Sequence, residues 1–203
     1  MNFKNQLYVI TDGKPQLLER VAEALRGGAT CIQYREKTKP IAEMVEEATL
    51  LKQLCHKYHV PLFINDHLDV AKAVNADGLH LGQSDSTVEE ARELLGDIPI
   101  GISACTVNEA RLAEEKGAVY VGVGAVFPTA SKKDATLVSL ETAKAIKASI
   151  KIPMLLIGGI SLETAQLINI PYDGLCVISA ILSADQPKEV AEAMRHLIDN
   201  HTH

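Results

Sequence analysis

Two acidic residues, Asp66 and Asp85, each stand just past the end of a short apolar run. The first run, residues 61–64, closes on Asn65-Asp66, and the second, residues 78–81, closes on Gly82-Gln83-Ser84-Asp85, with a helical segment between them. A strand–helix–strand crossover of this kind is right-handed and makes its strands parallel. If the strands are neighbours they lie ~4.8 Å apart, and both carboxylates fall on one rim. Carboxylates held so close repel each other unless a positive charge sits between them. Mg2+ is a natural occupant, because it takes one or two protein carboxylates and completes its shell with water and substrate phosphate. The plainer reading is that each Asp caps the helix that follows it, the common use of Asp after a strand.

Other reactive side chains fall at equivalent points along the chain. Gln33, Arg35 and Lys37 follow the second strand-like run, and Asn65 and Asp66 the third. His80, Gln83 and Asp85 follow the fourth, Ser103 the fifth, and Thr129, Ser131, Lys132 and Lys133 the sixth. Gly158-Gly159 follow the seventh and Ser179 the eighth. Arg grips phosphate with two parallel hydrogen bonds, and Lys acts as a point charge. Arg35, Lys37 and Lys132 beside the carboxylate pair therefore suit a diphosphate bridged by a metal ion. Taken alone, Arg35 and Lys37 read as surface charges paired with Glu36 or a nearby helix. The turns at Gly158-Gly159 and Ser179-Ala180 open onto helices, whose first N–H groups bind anions, so a separate monophosphate site is expected there. Without that company, Gly158-Gly159 is only a tight turn. His80, inside an apolar strand, reads as a packed, hydrogen-bonded histidine rather than a catalytic base.

These residues need a scaffold that brings eight turns to one face. Strand-like runs occupy residues 6–11, 30–34, 61–64, 78–81, 98–103, 119–123, 152–157 and 175–178. Helical stretches separate them, at 17–26, 87–95, 108–116 and 140–149, then briefly after Ser161 and finally at 187–199. The clearest helix carries Ile41, Met44, Val45, Ala48, Leu51, Leu54 and Cys55 three and four apart on one stripe. The strands are rich in Val, Ile and Leu without alternation, as in parallel sheets covered on both faces. Eight units in 203 residues, about 25 residues apiece, predict one (β/α)8 TIM barrel spanning residues 1–203, close to minimal size. A doubly wound open sheet would carry a glycine-rich fingerprint after its first strand, where this chain has Thr11-Asp12-Gly13-Lys14-Pro15. In a barrel, all the residues above share the C-terminal rim.

Composition narrows the partners. With 47% hydrophobic and 23% charged residues the chain can bury a sizeable core, and its net charge of -6 argues against general nucleic-acid binding. No apolar run approaches a membrane span, and the first residues lack a signal-peptide pattern. Cys31, Cys55, Cys105 and Cys176 are scattered, without zinc spacing. The expectation is a soluble cytoplasmic protein with small-molecule substrates, with no nucleic-acid or membrane partner and with homo-oligomerisation left open.

The strings QYREK (33–37), IND (64–66), DGLHLGQSD (77–85), GISACT (101–106), VGVGAVFPTASKKD (121–134), IGGI (157–160) and VISAI (177–181) each follow the expected strand. In these strings the chain resembles the thiamine-phosphate synthase family of (β/α)8 enzymes over nearly its whole length. The resemblance implies condensation of 4-amino-2-methyl-5-hydroxymethylpyrimidine diphosphate with 4-methyl-5-(2-phosphoethyl)thiazole, releasing pyrophosphate. It implies that Gln33, Tyr34, Arg35, Glu36, Lys37, Asn65, Ser103 and Lys132 bind the pyrimidine diphosphate, with Arg35, Lys37 and Lys132 catalytic. Asp66 and Asp85 would ligate Mg2+, and Thr129, Ala130, Ser131, Gly159, Ile178 and Ser179 would bind the thiazole phosphate. No Ser/His/Asp or Cys/His arrangement is evident, so a dissociative reaction is expected rather than a covalent enzyme intermediate. The chain departs from the family in lacking a glycine within residues 134–138 and in replacing Gly-Ala-Asp-Gly by Pro171-Tyr172-Asp173-Gly174. Two rivals remain. A thiazole tautomerase on the same barrel often uses a histidine after strand five, where this chain has Ala104-Cys105-Thr106. A non-catalytic regulator binding a thiamine-pathway metabolite would need no groups to stabilise a leaving diphosphate.

Overall fold

The computed structural model describes residues 3–131 and 136–200. Strands β1 (Gln6–Ile10), β2 (Cys31–Tyr34), β3 (Leu62–Asn65), β4 (Gly78–Leu81), β5 (Ile100–Ala104), β6 (Tyr120–Val123), β7 (Met154–Ile157) and β8 (Gly174–Val177) form a closed barrel in sequence order. Every pairing is parallel, and β1 against β8 closes the ring. The helices that cover it are α1 (Leu17–Arg26), α2 (Ile41–Lys57), α3 (Leu68–Ala73), α4 (Val88–Leu95), α5 (Val107–Glu115), α6 (Leu140–Ser149), α7 (Leu162–Ala165), α8 (Ser179–Leu182) and α9 (Pro187–Asp199). The expected (β/α)8 barrel is thus the observed one. None of the helices among the described residues is long and apolar enough to cross a membrane.

Five strands, β2, β3, β5, β6 and β7, start one or two residues later than their apolar runs suggest, and for β3, β5 and β7 proline is the reason. Pro61, Pro99 and Pro153 precede β3, β5 and β7, and each lends its carbonyl to the preceding strand: Ile32, Leu79 and Val121 donate to them at 3.1, 2.9 and 2.9 Å. Proline has no N–H to return, so the regular ladder begins beyond it. The helix expected to open at Ser179-Ala180 is α8, a single turn between β8 and the last helix. Thr87, Thr106 and Ser161 each close a reciprocal capping box at the starts of α4, α5 and α7.

Successive strand residues enter two separate cores. Leu7, Val9, Ile32, Leu62, Ile64, Leu79, Val121, Leu156 and Leu175 face outward against the helices. Tyr8, Ile10, Cys31, Phe63, Tyr120, Leu155 and Cys176 fill the barrel with Phe3, which precedes β1 and closes the lower end. The Phe3 ring lies 4.7 Å from Tyr120 and 5.8 Å from Phe63, centroid to centroid. So narrow a barrel holds these rings only where adjacent strands give up a side chain. A Cβ on Gly101 would sit 2.1 Å from the Tyr120 ring, and one on Gly78 2.2 Å from Phe63.

The loop after β1 is anchored by one arginine. Arg20 grips both carboxylate oxygens of Asp12 at 2.8 Å and also donates to the carbonyls of Lys14 at 2.8 Å and Leu182 at 2.9 Å, tying β1, α1 and α8 together. Burial, the largest single influence, would raise the Asp12 carboxyl, but the hydrogen bonds from Arg20 and the Lys14 amide, with the charges of Arg20 and Lys14, together outweigh it and hold the group below the usual carboxylate range.

Two stability measurements follow. Gly101→Ala should cost about 1–3 kcal/mol in denaturant titration, the usual cost of overpacking a core, whereas a change near zero would mean that Tyr120 can yield. Arg20→Ala should cost about 2 kcal/mol at neutral pH, a charge-assisted hydrogen-bond loss. Because the folded Asp12 carboxyl lies below its unfolded value, that stabilisation is complete above about pH 4 and fades as acid titrates the folded group. The gap between the wild type and the variant should therefore narrow below about pH 4; a gap that is constant with pH would refute the pairing.

Candidate active site at the C-terminal rim

Strands β3 and β4 are neighbours, with Asn65 beside His80, and the Asp66 amide continues the ladder to the His80 carbonyl at 2.9 Å. Beyond that bond Asp66 turns into the left-handed region, with φ 62°. Neither carboxylate caps a helix: His67 stands at the start of α3 and Thr87 at the start of α4. Asp85 instead turns back into its own loop, where Oδ2 accepts the Gly82 amide at 2.6 Å. The Asp66 and Asp85 carboxyls then meet in a hydrogen bond, and Lys37 forms an ion pair with Asp66.

This geometry separates the two acids. Asp85 is raised, first by burial and then by its hydrogen bond to Asp66. Burial also works against ionisation of Asp66, but the hydrogen bonds from Asp85, Lys37 and Asn65 outweigh it and lower that group. The pair holds its second negative charge only at a cost. Its donors are hard carboxylate oxygens, and among the described residues no third His, Cys, Asp or Glu joins them in a metal-ligating group. That donor set suits an ion such as Mg2+, which draws the rest of its shell from water and phosphate.

The loop after β2 sets the cations beside this pair. The Thr11 hydroxyl accepts the Arg35 amide at 2.8 Å and donates to the Arg35 carbonyl at 3.1 Å. The buried Glu36 carboxylate accepts the amides of Lys37 and Thr38 at 2.7 Å each and the Thr38 hydroxyl at 2.9 Å. Glu36 therefore shapes its own loop, and the Tyr34 hydroxyl donates to Glu47 of α2 at 2.8 Å, outside the barrel. Lys37 bridges to β3 rather than to Glu36, and the Arg35 guanidinium has no ion-pair partner among the described residues, so the surface-pair reading of both falls away.

Polar side chains floor the mouth. Gln33 donates to the Tyr8 hydroxyl at 3.2 Å, and Tyr120 donates to Tyr8 at 2.9 Å. The two nitrogens of His80 reach Tyr120 Oη and Ser103 Oγ, each at 2.9 Å, while Gln83 donates to the Ser103 carbonyl at 2.7 Å. This bears out His80 as a packed, hydrogen-bonded residue. Tyr8 and Tyr120 were hidden in the sequence by their apolar neighbours; the available signal was a hydroxyl at an inward-facing strand position.

On the opposite side of the mouth, Gly159 has φ 64°, and a Cβ there would sit 2.5 Å from the Pro128 carbonyl. Glycine thus lets the turn after β7 press against the loop after β6, which carries Thr129, Ala130 and Ser131; Thr129 Oγ1 accepts the Ser131 amide at 3.2 Å. The returning segment is pinned where Ala125 donates to Thr136 at 2.9 Å and accepts from Val138 at 2.7 Å. Ile178 and Ser179 begin α8 at the end of β8. The unusual turn before β8 is secured by Asp173, which accepts the Met154 amide at 2.8 Å and pairs with Lys147. Lys132 lies outside the described residues.

The fold and rim are those of a barrel enzyme of small molecules, and comparison with known proteins makes the class specific. The family described as thiamine monophosphate synthase matches residues 7–181. The thiamine-phosphate synthase of Clostridium acetobutylicum is 46% identical over 97% of this chain and 96% of its own. That of Pyrococcus furiosus is 44% identical over 98% of both chains. The solved thiamine phosphate pyrophosphorylase of P. furiosus superposes with a TM-score of 0.89 at 42% identity, covering 97% of each chain. An orotidine 5'-phosphate decarboxylase from Pyrococcus horikoshii, at 16% identity and a TM-score of 0.70, shares the fold alone. The chain belongs to the thiamine-phosphate synthase family, and neither the tautomerase nor the regulator reading is favoured.

The shared proton gives a metal-free prediction. An acid raised on folding destabilises the fold wherever it must ionise. In a chelating buffer at pH 7, Asp85→Asn should therefore leave stability unchanged or raise it by up to about 1 kcal/mol, with the gain disappearing below about pH 4. A loss of several kcal/mol would instead make Asp85 a structural residue.

Proposed function

We propose that this protein joins 4-amino-2-methyl-5-hydroxymethylpyrimidine diphosphate to 4-methyl-5-(2-phosphoethyl)thiazole, giving thiamine phosphate and pyrophosphate, in the cytoplasm and with Mg2+. The observation that carries this reading is the Asp66–Asp85 carboxyl pair, with Lys37 against it and Arg35 on the same loop. Asp66 and Asp85 would hold the metal, which when bound supplies positive charge to the diphosphate oxygens. Gln33 of β2, Asn65 of β3 and Ser103 of β5 would seat the pyrimidine. Arg35, Lys37 and Lys132 would clamp the diphosphate.

The bond from the pyrimidine methylene carbon to the diphosphate oxygen breaks heterolytically, and its electron pair leaves with pyrophosphate. The carbon keeps a positive charge that the aminopyrimidine ring delocalises. The cationic side chains stabilise charge growing on the leaving oxygen, where fixed charges in a sheltered site act most strongly. The thiazole nitrogen then gives its lone pair to the carbon, forming the C–N bond of a thiazolium. Thr129, Ala130, Ser131, Gly159, Ile178 and Ser179 would hold the thiazole phosphate so that this nitrogen faces the reacting carbon, which is catalysis by positioning.

The direct test incubates the protein with both substrates and Mg2+ and looks for thiamine phosphate by chromatography. Product is expected with the metal and little or none in chelator; product formed equally in chelator would remove the metal from the account. Asp66→Asn should remain folded and lose at least about 100-fold in kcat, and Lys132→Ala should lose a similar factor, as when a charge-stabilising donor is removed. A Lys132→Ala variant that lost only thiazole affinity would move that residue to the other substrate.

A further inference from the structure

The hydrogen bonds beneath the mouth have a direction, and it ends on Ser103. Tyr8 Oη accepts from both Gln33 Nε2 and Tyr120 Oη, which leaves its own proton for the Cys31 sulfur, with which it is hydrogen-bonded. The Tyr120 proton is spent on Tyr8, so Tyr120 can only accept at its 2.9 Å contact with His80 Nδ1. A neutral imidazole carries one proton, and here it lies on Nδ1. His80 Nε2 is then an acceptor and takes the Ser103 hydroxyl proton across 2.9 Å. Packing holds the ring in place. It stacks on Tyr120 with centroids 5.6 Å apart and planes 25° apart, and a Cβ on Gly122 would lie 3.3 Å from its Cε1.

We infer that His80 is a positioning residue that fixes Ser103 Oγ as a pure hydrogen-bond acceptor, so that Ser103 recognises the exocyclic amino group of the pyrimidine rather than its diphosphate. A hydroxyl whose proton is committed offers only lone pairs. Ionised phosphate oxygens are acceptors and gain nothing from it, whereas a 4-amino group brings two N–H donors. A ring with hydrogen or oxygen at that position would leave the lone pair of the half-buried Ser103 unmatched, the kind of mismatch that sites built for one polar group reject most strongly. The inference rests on the synthase reading for the identity of the substrate, but not for the polarity of the chain.

Two measurements separate those parts. The first is 15N-detected NMR of the histidine ring in the unliganded wild-type protein. The Nδ1–H tautomer is expected at His80, and a dominant Nε2–H tautomer would overturn the inference. The second compares the Kd, by calorimetry with Mg2+ and without the thiazole, of the 4-amino pyrimidine diphosphate and its 4-hydrogen analogue, so that the amino group's part in stabilising the cation does not enter. The wild type should prefer the amino compound at least tenfold. His80→Phe keeps the stacked ring but cannot accept a proton, and Ser103→Ala removes the hydroxyl; in either variant the preference should fall below about threefold. Equal losses on both compounds would show a merely structural role and defeat the proposal. If the wild type binds neither pyrimidine, it is the synthase reading that fails, and the tautomer then decides the hydrogen-bond polarity by itself.

Discussion

Two carboxyl groups in hydrogen-bond contact cannot both be ionised cheaply. In this barrel the constraint is built in by the backbone: the pairing of β3 with β4, the left-handed turn at Asp66 and the Gly82–Asp85 loop together bring the acids face to face. One of them keeps a proton, or a cation takes its place. Lys37 meets part of the demand from the neighbouring strand, and in the proposed function a small hard ion would meet the rest. Placed beside Arg35, the same charge imbalance would, on the proposed function, hold diphosphate and absorb charge as it leaves.

Such a rim needs a rigid floor, and the barrel supplies one from few parts. Aromatic rings from Phe3, Tyr8, Phe63 and Tyr120 fill the lower interior because Gly78 and Gly101 leave room for them. Two of these rings carry hydroxyls, and through them the apolar packing passes into the polar network under the mouth. The filling of the barrel and the orientation of the site are therefore one construction. A change in ring size below would alter the hydrogen bonds presented to a ligand above.

Much of this is legible in the chain. The eight strand–helix units, the extents of α1, β4, α6 and α9, and the Ser161 cap all follow from apolar periodicity and turn chemistry. The strands preceded by Pro61, Pro99 and Pro153 were read too long because hydrophobicity does not register a missing N–H. The rim position of Asp66 and Asp85 follows from where they stand after strands, but their mutual contact, rather than helix capping, depends on backbone turns that composition does not encode. Tyr34 and Glu36 show the opposite limit. They sit inside a motif whose other members face the mouth, yet strand parity sends Tyr34 outward to Glu47 and loop hydrogen bonds draw Glu36 under its own backbone. The Tyr8–Tyr120–His80 chain joins residues 112 and 40 positions apart, a connection that only closure of the barrel creates.

The central claim is that the anionic pair and the cationic loop act as one metal–diphosphate site. Calorimetric titration with inorganic pyrophosphate, in the presence of Mg2+ and in chelator, tests it most directly. Mutual reinforcement is expected: pyrophosphate should bind at least tenfold more tightly with the metal, and the difference should vanish when Asp66 and Asp85 are both replaced by Asn. Pyrophosphate binding of equal strength with and without Mg2+ in the wild type would contradict the account.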